Sequence, residues 1–455
     1  MAKIKTIYAC QQCGSQSPKW LGRCPDCGAW NSLVEEQAPT SGPPSAALRT
    51  STNAPVPLNE ISPNEAGERI VTGISELDRV LGSGIFRGSA ILLAGEPGIG
   101  KSTLSLQMAI ALQESGQKVL YVSGEESLTQ IRNRAQRLAP EGSELLVLSE
   151  TNLENIAYRI STESPAVVII DSIQAIYNPA LSGAPGNVAQ VRECATRLFQ
   201  LTKENQISLL LIGHVTKEGS VAGPKILEHL VDVVVNFEGN IEQHRILRTV
   251  KNRFGAANEL GIFEMFSDGL REVKDPSGVF IDRERRPAVG SAVVCSYEGT
   301  RPLLIEVQAL VGRSNYGTPQ RIVSGFNQRR LSLILAIMEK YCRLSFGVHD
   351  VFVKVAGGLH LDDPGIDMGV AAALYSSFLE KPMLPDAVYL GELGLGGEVR
   401  AISFSEKRLM ESQRLGFKRV FLPEGNAPEA ETAARLTIGL TQIGKIDELL
   451  YPPSE

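Results

Sequence analysis

Nine consecutive residues, Gly95-Glu96-Pro97-Gly98-Ile99-Gly100-Lys101-Ser102-Thr103, fit the pattern G-x-x-x-x-G-K-[ST]. The pattern suits a polyphosphate. Its glycines let the backbone approach phosphate oxygens closely, and the loop amides and the start of the next helix form an anion cradle. Lys101 is placed to reach the β- and γ-phosphates, and the Ser102 hydroxyl to ligate Mg2+. The flanks give the context the motif needs. An apolar run at 90–94 has strand character, and Leu104, Met108, Ala111 and Leu112 recur at helical spacing before Gly116. The sequence therefore predicts a P-loop that binds ATP with Mg2+.

Cysteines form the second constellation. Cys10-Gln11-Gln12-Cys13 and Cys24-Pro25-Asp26-Cys27 are each followed by a glycine, Gly14 and Gly28. Each C-x-x-C-G run is a tight knuckle whose glycine turns the backbone under the thiolates. Two knuckles supply the four soft donors of tetrahedral Zn2+. So short a segment buries little core, so the metal is expected to provide most of its folding energy. Trp20 and Trp30 are either exposed stacking groups, for bases or a partner, or a cover over the zinc site; the sequence leaves both open. Cys194, Cys295 and Cys342 are scattered, so the usage is a local metal cluster and not a disulfide framework, which suits a reducing cytoplasm.

These groups must be positioned by more than one domain. A length of 455 residues suggests two to four, and 43% hydrophobic with 21% charged residues is ordinary for globular protein. No apolar run is long enough to span a membrane and the N-terminus lacks a signal-peptide core, so no membrane partner is expected. The net charge of −6 excludes a globally basic nucleic-acid binder; any DNA contact must be local. Residues 1–34 read as the zinc finger and 35–68, rich in Pro, Ser, Thr, Asn and Ala, as a flexible tether. Over 69–273, apolar runs at 119–123, 167–171, 207–213, 231–237 and 246–250 alternate with helical patterns such as Val188, Val191, Ala195, Leu198 and Thr202. That alternation predicts an α/β domain with a mostly parallel sheet covered on both faces. Residues 274–286 are a charged junction. From 287 to 455 the chain restarts as α+β, with strands at 291–297, 303–311 and 351–356, helices near 329–341 and 366–379, and a core of its own.

In a parallel sheet, catalytic groups are expected at the carboxyl ends of the strands. Asp171 ends an apolar strand and is placed to bind Mg2+, directly or through water. Glu125 and Glu126 follow the strand at 119–123, and one of them is the candidate carboxylate for orienting the attacking water. Either would also suit the first turn of a helix simply as an acid. His214 is a candidate sensor of the γ-phosphate. Lys251-Asn252-Arg253-Phe254-Gly255 places two cations two residues apart at a strand end, with Phe254 to anchor and Gly255 to turn. The planar fork of Arg253 suits phosphate oxygens, although a solvated basic turn would have the same composition.

The cysteine knuckles, the P-loop, the Lys-Asn-Arg-Phe-Gly run and the C-terminal domain, in that order, resemble the RadA (Sms) family of bacterial DNA-repair proteins, paralogues of RecA. The likeness covers essentially the whole chain and includes residues 72–81 at the entry to the ATPase domain. It implies a RecA-like P-loop ATPase core, an N-terminal four-cysteine zinc finger and a C-terminal domain like that of the Lon protease. It further implies DNA-dependent ATP hydrolysis, single-stranded and branched DNA as partners, a homo-oligomeric, hexameric ring, and branch migration of recombination intermediates with the RecA recombinase. By the same resemblance Lys251 and Arg253 act in trans on a neighbouring subunit's ATP, and Glu125 is favoured over Glu126 as the base. Residues 178–187 and 215–224 become candidate DNA contacts.

The likeness to Lon breaks at its chemistry. Lon-type proteases carry a Ser nucleophile in an Asp-Gly-Pro-Ser-Ala-Gly setting and a Lys base downstream. Here Asp362-Asp363-Pro364-Gly365-Ile366-Asp367 puts Gly365 at the serine, and continuing the register puts Glu406 at the lysine, with Lys407 beside it. Glycine offers no nucleophile and a carboxylate is no amine base. The domain is expected to be a scaffold; Arg313, Arg321, Arg329 and Arg330 give it local positive charge, either for DNA or simply as a solvated face.

Overall fold

A computed structural model describes residues 6–10, 16–26, 28, 30–37, 57, 68–214, 227–241, 244–281, 288–314 and 317–449. Residues 240–242 apart, two compact units divide the chain, one reaching Glu272 and the other starting at Val273.

At the N-terminus, β1 (Thr6–Cys10) lies between β2 (Gln16–Ser17) and β3 (Leu33–Gln37), antiparallel to both. Tyr8 pairs with Glu35 and Thr6 with Gln37, so the sheet takes up the first three residues of the expected tether. A two-sided strand outside a tiny core need not be apolar, which is why the run Glu35-Glu36-Gln37 reads as linker in sequence.

Among the described residues, the first unit's main sheet has nine strands in the order β14-β13-β12-β11-β6-β10-β9-β7-β8. They are β6 (Ala90–Gly95), β7 (Val119–Ser123), β8 (Leu146–Ser149), β9 (Val167–Asp171), β10 (Ser208–His214), β11 (Val233–Ile241), β12 (His244–Asn252), β13 (Leu260–Phe266) and β14 (Gly269–Glu272). A small antiparallel pair, β4 (Arg69–Ile70) and β5 (Ile85–Phe86), precedes them. The six strands from β11 to β8 run parallel, while β13 is antiparallel to both β12 and β14. Strand periodicity sorts the core into two layers. Ile91 and Leu93 of β6 face Leu77 of α1 (Ser75–Leu81) and Leu104, Met108 and Leu112 of α2 (Lys101–Glu114). Leu92 and Ala94 face Ile156 of α4 (Leu153–Glu163) and Val191 and Leu198 of α5 (Val188–Glu204). α3 (Leu128–Leu138) buries only Ile131. β8, β13 and β14 lie outside the strands expected from sequence. β8 is a short, half-exposed edge, and β13 carries Gly261 and Glu264, which dilute its apolar pattern.

In the C-terminal unit a mixed sheet runs β17-β18-β16-β15-β19-β22-β23. Its strands are β15 (Ser291–Glu298), β16 (Arg301–Arg313), β17 (Arg321–Ser324), β18 (His349–Val355), β19 (Ala387–Tyr389), β22 (Arg419–Pro423) and β23 (Gly439–Ile443). A separate hairpin joins β20 (Glu392–Leu393) to β21 (Val399–Arg400). The helices are α6 (Ser277–Phe280), α7 (Gln328–Tyr341), α8 (Asp367–Leu379), α9 (Ser405–Arg414) and α10 (Ala430–Arg435). α8 is buried on nearly every side against β15 and β16. No helix among the described residues is long and apolar enough to cross a membrane.

Candidate active site

β6 delivers the chain to the P-loop and α2 begins at Lys101, so the loop closes the carboxyl end of a central strand. Gly98 and Gly100 take φ of +78° and +118°, which L side chains rarely adopt. A Cβ on Gly95 would come within 2.5 Å of the Phe237 carbonyl, so the loop glycines are demanded by backbone shape and by close packing. The Lys101 side chain is buried and its Nζ donates to the carbonyls of Gly95 (2.8 Å) and Glu96 (2.9 Å). Burial pulls its pKa down to about 8, against the raising pull of the Asp171 and Glu125 charges. Ser102 and Thr103 follow in the first helical turn, half-buried.

The neighbouring strands bring the acids alongside. Asp171, at the end of β9, is buried and accepts the Tyr121 hydroxyl from β7 at 2.6 Å; burial and then the Asp171 charge hold that phenol protonated. Glu125 Oε1 accepts from Ser172 Oγ and lies 3.2 Å from His214 Nε2 at the end of β10. Burial raises the Glu125 pKa, but the hydrogen bonds from Ser172 and His214 and the charge of Lys101 outweigh it and leave the carboxyl below the usual range. Glu126 instead pairs with Arg134 of α3. Lys101, Asp171, Glu125 and His214 thus converge, whereas Glu126 turns to a helix arginine. Sequence reasoning missed Tyr121 and Ser172, although Ser172 directly follows Asp171.

The Lys251–Gly255 run lies elsewhere. Lys251 Nζ donates to the carbonyls of Glu228 (2.8 Å) and Val231 (2.7 Å); burial, then the Arg253 charge, lowers its pKa. Arg253 is 57% exposed and bonds Asp232 Oδ1 at 3.1 Å, while Asp232 Oδ2 accepts the Ala90 amide at 3.1 Å. Ala90 is the first residue of β6 and the P-loop follows its last, so Arg253 sits at the opposite end of the sheet from its own P-loop. Five residue steps along a strand are about 17 Å. Phe254 stacks on Phe86 at 4.1 Å, and Arg69 Nη2 donates to the Phe254 carbonyl at 2.5 Å. A Cβ on Gly255 would meet the Gly82 Cα at 3.1 Å, so the turn is pressed against the end of α1.

In the ribbon, Cys10 and Cys24 are buried in one small cluster with Leu33, and the Gly28 amide closes on the Cys24 carbonyl at 3.0 Å with φ +74°. Cys13 and Cys27 lie outside the described residues. These two thiols, one from each knuckle and gathered in one core, are half of the four-thiolate set that would hold Zn2+. Trp20 and Trp30 are both more than half exposed, at 55% and 73%.

Three family models match: a rubredoxin metal-binding domain over residues 8–35, an AAA domain over 59–220, and the Lon protease (S16) C-terminal proteolytic domain over 283–451. A DNA repair protein RadA from Bacillus subtilis is 46% identical over 94% of both chains. Another from Streptococcus pyogenes serotype M6 is 47% identical over 99% of this chain and 100% of its own. The chain belongs to the RadA family of DNA-repair proteins. Its Brucella abortus relative is 47% identical over 94% of this chain and 93% of its own. The solved KaiC-like protein from Pyrococcus horikoshii OT3 matches 46% of this chain and 99% of its own at 22% identity, with a TM-score of 0.38. With a RecA-like P-loop core, a zinc ribbon and a Lon-like domain, the chain is an ATPase.

In the Lon-like unit the side chains depart from the sequence register. A Cβ on Gly365 would lie 3.1 Å from both Arg408 Nη1 and Asp363 Oδ1. Arg408 is fully buried, pairs with Asp363 and donates to the Cys295 and Ser403 carbonyls. Neither Glu406 nor Lys407 turns to Gly365: Glu406 accepts from Thr432 at 2.7 Å, and Lys407 Nζ meets the Tyr297 hydroxyl at 2.9 Å. Glu406, Lys407 and Arg408 share one turn of α9 and point in different directions around it, which alignment by register does not resolve. The arginine patch is also smaller than expected. Arg321 donates to the Gln320, His349 and Phe346 carbonyls and Arg330 pairs with Asp367, leaving Arg313 and Arg329 exposed.

Proposed function

We propose that the chain is an ATP-driven motor on single-stranded and branched DNA, acting in the cytoplasm as a hexameric ring. With RecA it promotes branch migration of recombination intermediates. The P-loop amides and Lys101 hold the triphosphate. Ser102 and Asp171 hold Mg2+, which when bound neutralises charge on the phosphates. Glu125 orients the attacking water: Ser172 and His214 both engage its Oε1, and Oε2 has no partner among the described residues. The observation that carries the ring is the position of Arg253. It is exposed, beyond reach of its own P-loop, and therefore acts on the nucleotide of the next subunit together with Lys251.

Residues 178–187 are a candidate DNA contact supported by their build. The loop is exposed, and the buried Gln190 fixes it by donating to the Asn178, Leu181 and Gly183 carbonyls. Residues 215–224, the other candidate contact, lie outside the described residues. A peptidase reading has the Lon family match in its favour, but the group beside Gly365 is an arginine in an ion pair, so no Ser–Lys dyad exists there.

An arginine supplied in trans is worth about 10³–10⁵ in rate. Arg253→Ala is expected to lose ATP turnover while keeping nucleotide affinity, since Lys101 and the amides hold the ground state. Mixing Arg253→Ala with Lys101→Ala subunits, each inactive alone, is expected to restore activity at interfaces that pair an intact P-loop with an intact finger. Mixed rings as inactive as either parent would overturn the trans assignment.

A further inference from the structure

Strand β11 and the two that follow it, β12 and β13, do more than extend the sheet, because they pack against the P-loop. Phe237 of β11 lies under Gly95, and a Cβ on Gly100 would fall 2.8 Å from Met265 Cε of β13. The tightest contact is at Ile99. Arg245 of β12, half-buried, donates Nε to the Ile99 carbonyl at 3.1 Å and Nη1 to the His244 carbonyl at 2.9 Å. A Cβ on Gly239 of β11 would fall 2.3 Å from Ile99 Cδ1, so the isoleucine keeps its present rotamer only opposite a glycine. We infer that Arg245 and Gly239 form a brace that sets the P-loop in its phosphate-binding shape, with Arg245 as a positioning residue for the nucleotide.

The physical route runs through one peptide plane. The Ile99–Gly100 peptide is planar and trans, so a carbonyl held down on β12 points the Gly100 amide the opposite way, off the hairpin. Amides in this loop bind phosphate only when they converge, and Gly98 and Gly100, both at positive φ, are too permissive to impose that by themselves. Without the brace the loop samples other shapes, and the cost of ordering it falls on nucleotide binding. The inference depends on the P-loop being the nucleotide site and not on the ring or on trans action.

The experiment measures dissociation constants for fluorescent ADP and ATP analogues, together with kcat and KM, on the full-length protein. Arg245→Ala is expected to weaken both nucleotides about tenfold, the scale of one hydrogen bond from a charged donor. KM should rise by a similar factor and kcat should change much less; Arg245→Lys should recover part of the affinity. Gly239→Ala should weaken binding too, and Ile99→Val, which removes the colliding Cδ1 atom, should restore it in the double variant. Folded Arg245→Ala that binds both nucleotides like the parent overturns the brace. So does a Gly239→Ala defect that Ile99→Val leaves in place, and that pair decides the matter if Arg245→Ala does not fold. Arg253→Ala, expected to lower kcat at unchanged affinity, keeps failure of the trans reading separate from failure of this one.

Discussion

Two loops in this chain enter a helix from the end of a sheet, Gly95–Lys101 before α2 and Asp363–Asp367 before α8, and they use their charges in opposite ways. In the first, the buried Lys101 rests on neutral carbonyls, with the acids Asp171 and Glu125 near it but bonded to hydroxyls and a histidine. Phosphate can replace those carbonyls at little loss. In the second, each cation already has its anion: Arg408 pairs with Asp363, and Arg330 pairs with Asp367 at 2.6 Å. Burial raises the Asp367 pKa, and the charge and hydrogen bond of Arg330 offset that only in part. A loop is available for chemistry when its buried charge is held by groups it can leave.

The largest effect that contrast predicts comes from removing each cation. Lys101→Ala should abolish ATP turnover without unfolding the ATPase unit, because that lysine contacts phosphate and is no part of the apolar core. Arg408→Ala should do the reverse. It strands the buried Asp363 carboxylate, a loss of about 3–5 kcal/mol in the C-terminal unit's unfolding transition, with nucleotide binding to the P-loop unchanged. Hydrolysis at the parental rate by Lys101→Ala would break the comparison at its first term.

A smaller effect follows from putting the missing nucleophile back. Gly365→Ser sets a Cβ 3.1 Å from Arg408 Nη1 and Asp363 Oδ1, closer than ordinary contact, so the unit should lose about 1–3 kcal/mol. The serine would face a guanidinium that is always protonated and cannot serve as its base. Casein degradation is therefore expected to stay at background in this variant. Proteolysis by Gly365→Ser would mean that the ion pair opens and that the second loop is available after all.

Much of this was legible in the sequence, and the exceptions share a cause. The P-loop, Asp171 and the cysteine knuckles are marked by local spacing, and local spacing is what a chain displays directly. The apolar runs of β6, β7 and β9 announced buried parallel strands. Groups that act from a distance in sequence were not legible. Tyr121 reaches Asp171 across 50 positions and Arg245 reaches Ile99 across 146, and nothing local marks either partner. Arg408 was missed for a related reason: register aligns backbones, whereas the side chain beside Gly365 depends on which face of α9 turns inward.

The smallest effect is a titration, and it separates the two loops by the chemistry of their cations. Lys101 has a pKa of about 8 in the folded chain, well under the ordinary lysine value, chiefly because it is buried. Its proton therefore leaves as pH rises through 8, and with it the charge that phosphate needs. Nucleotide affinity should fall by about fivefold from pH 8 to pH 9, the ratio of charged fractions for one group titrating at 8. Stability has the opposite sign. Between about 8 and the ordinary lysine range the unfolded chain holds the proton that the folded chain has lost, so this group makes the nucleotide-free protein more stable as pH rises. A general alkaline loosening of the fold would lower affinity and stability together; titration of Lys101 lowers only the first. Lys101→Arg, which stays charged, should flatten whatever binding it retains above pH 8. Parental binding that is level from pH 7 to 9.5 would show that Lys101 keeps its proton, and the lysine would then be held as firmly as Arg408.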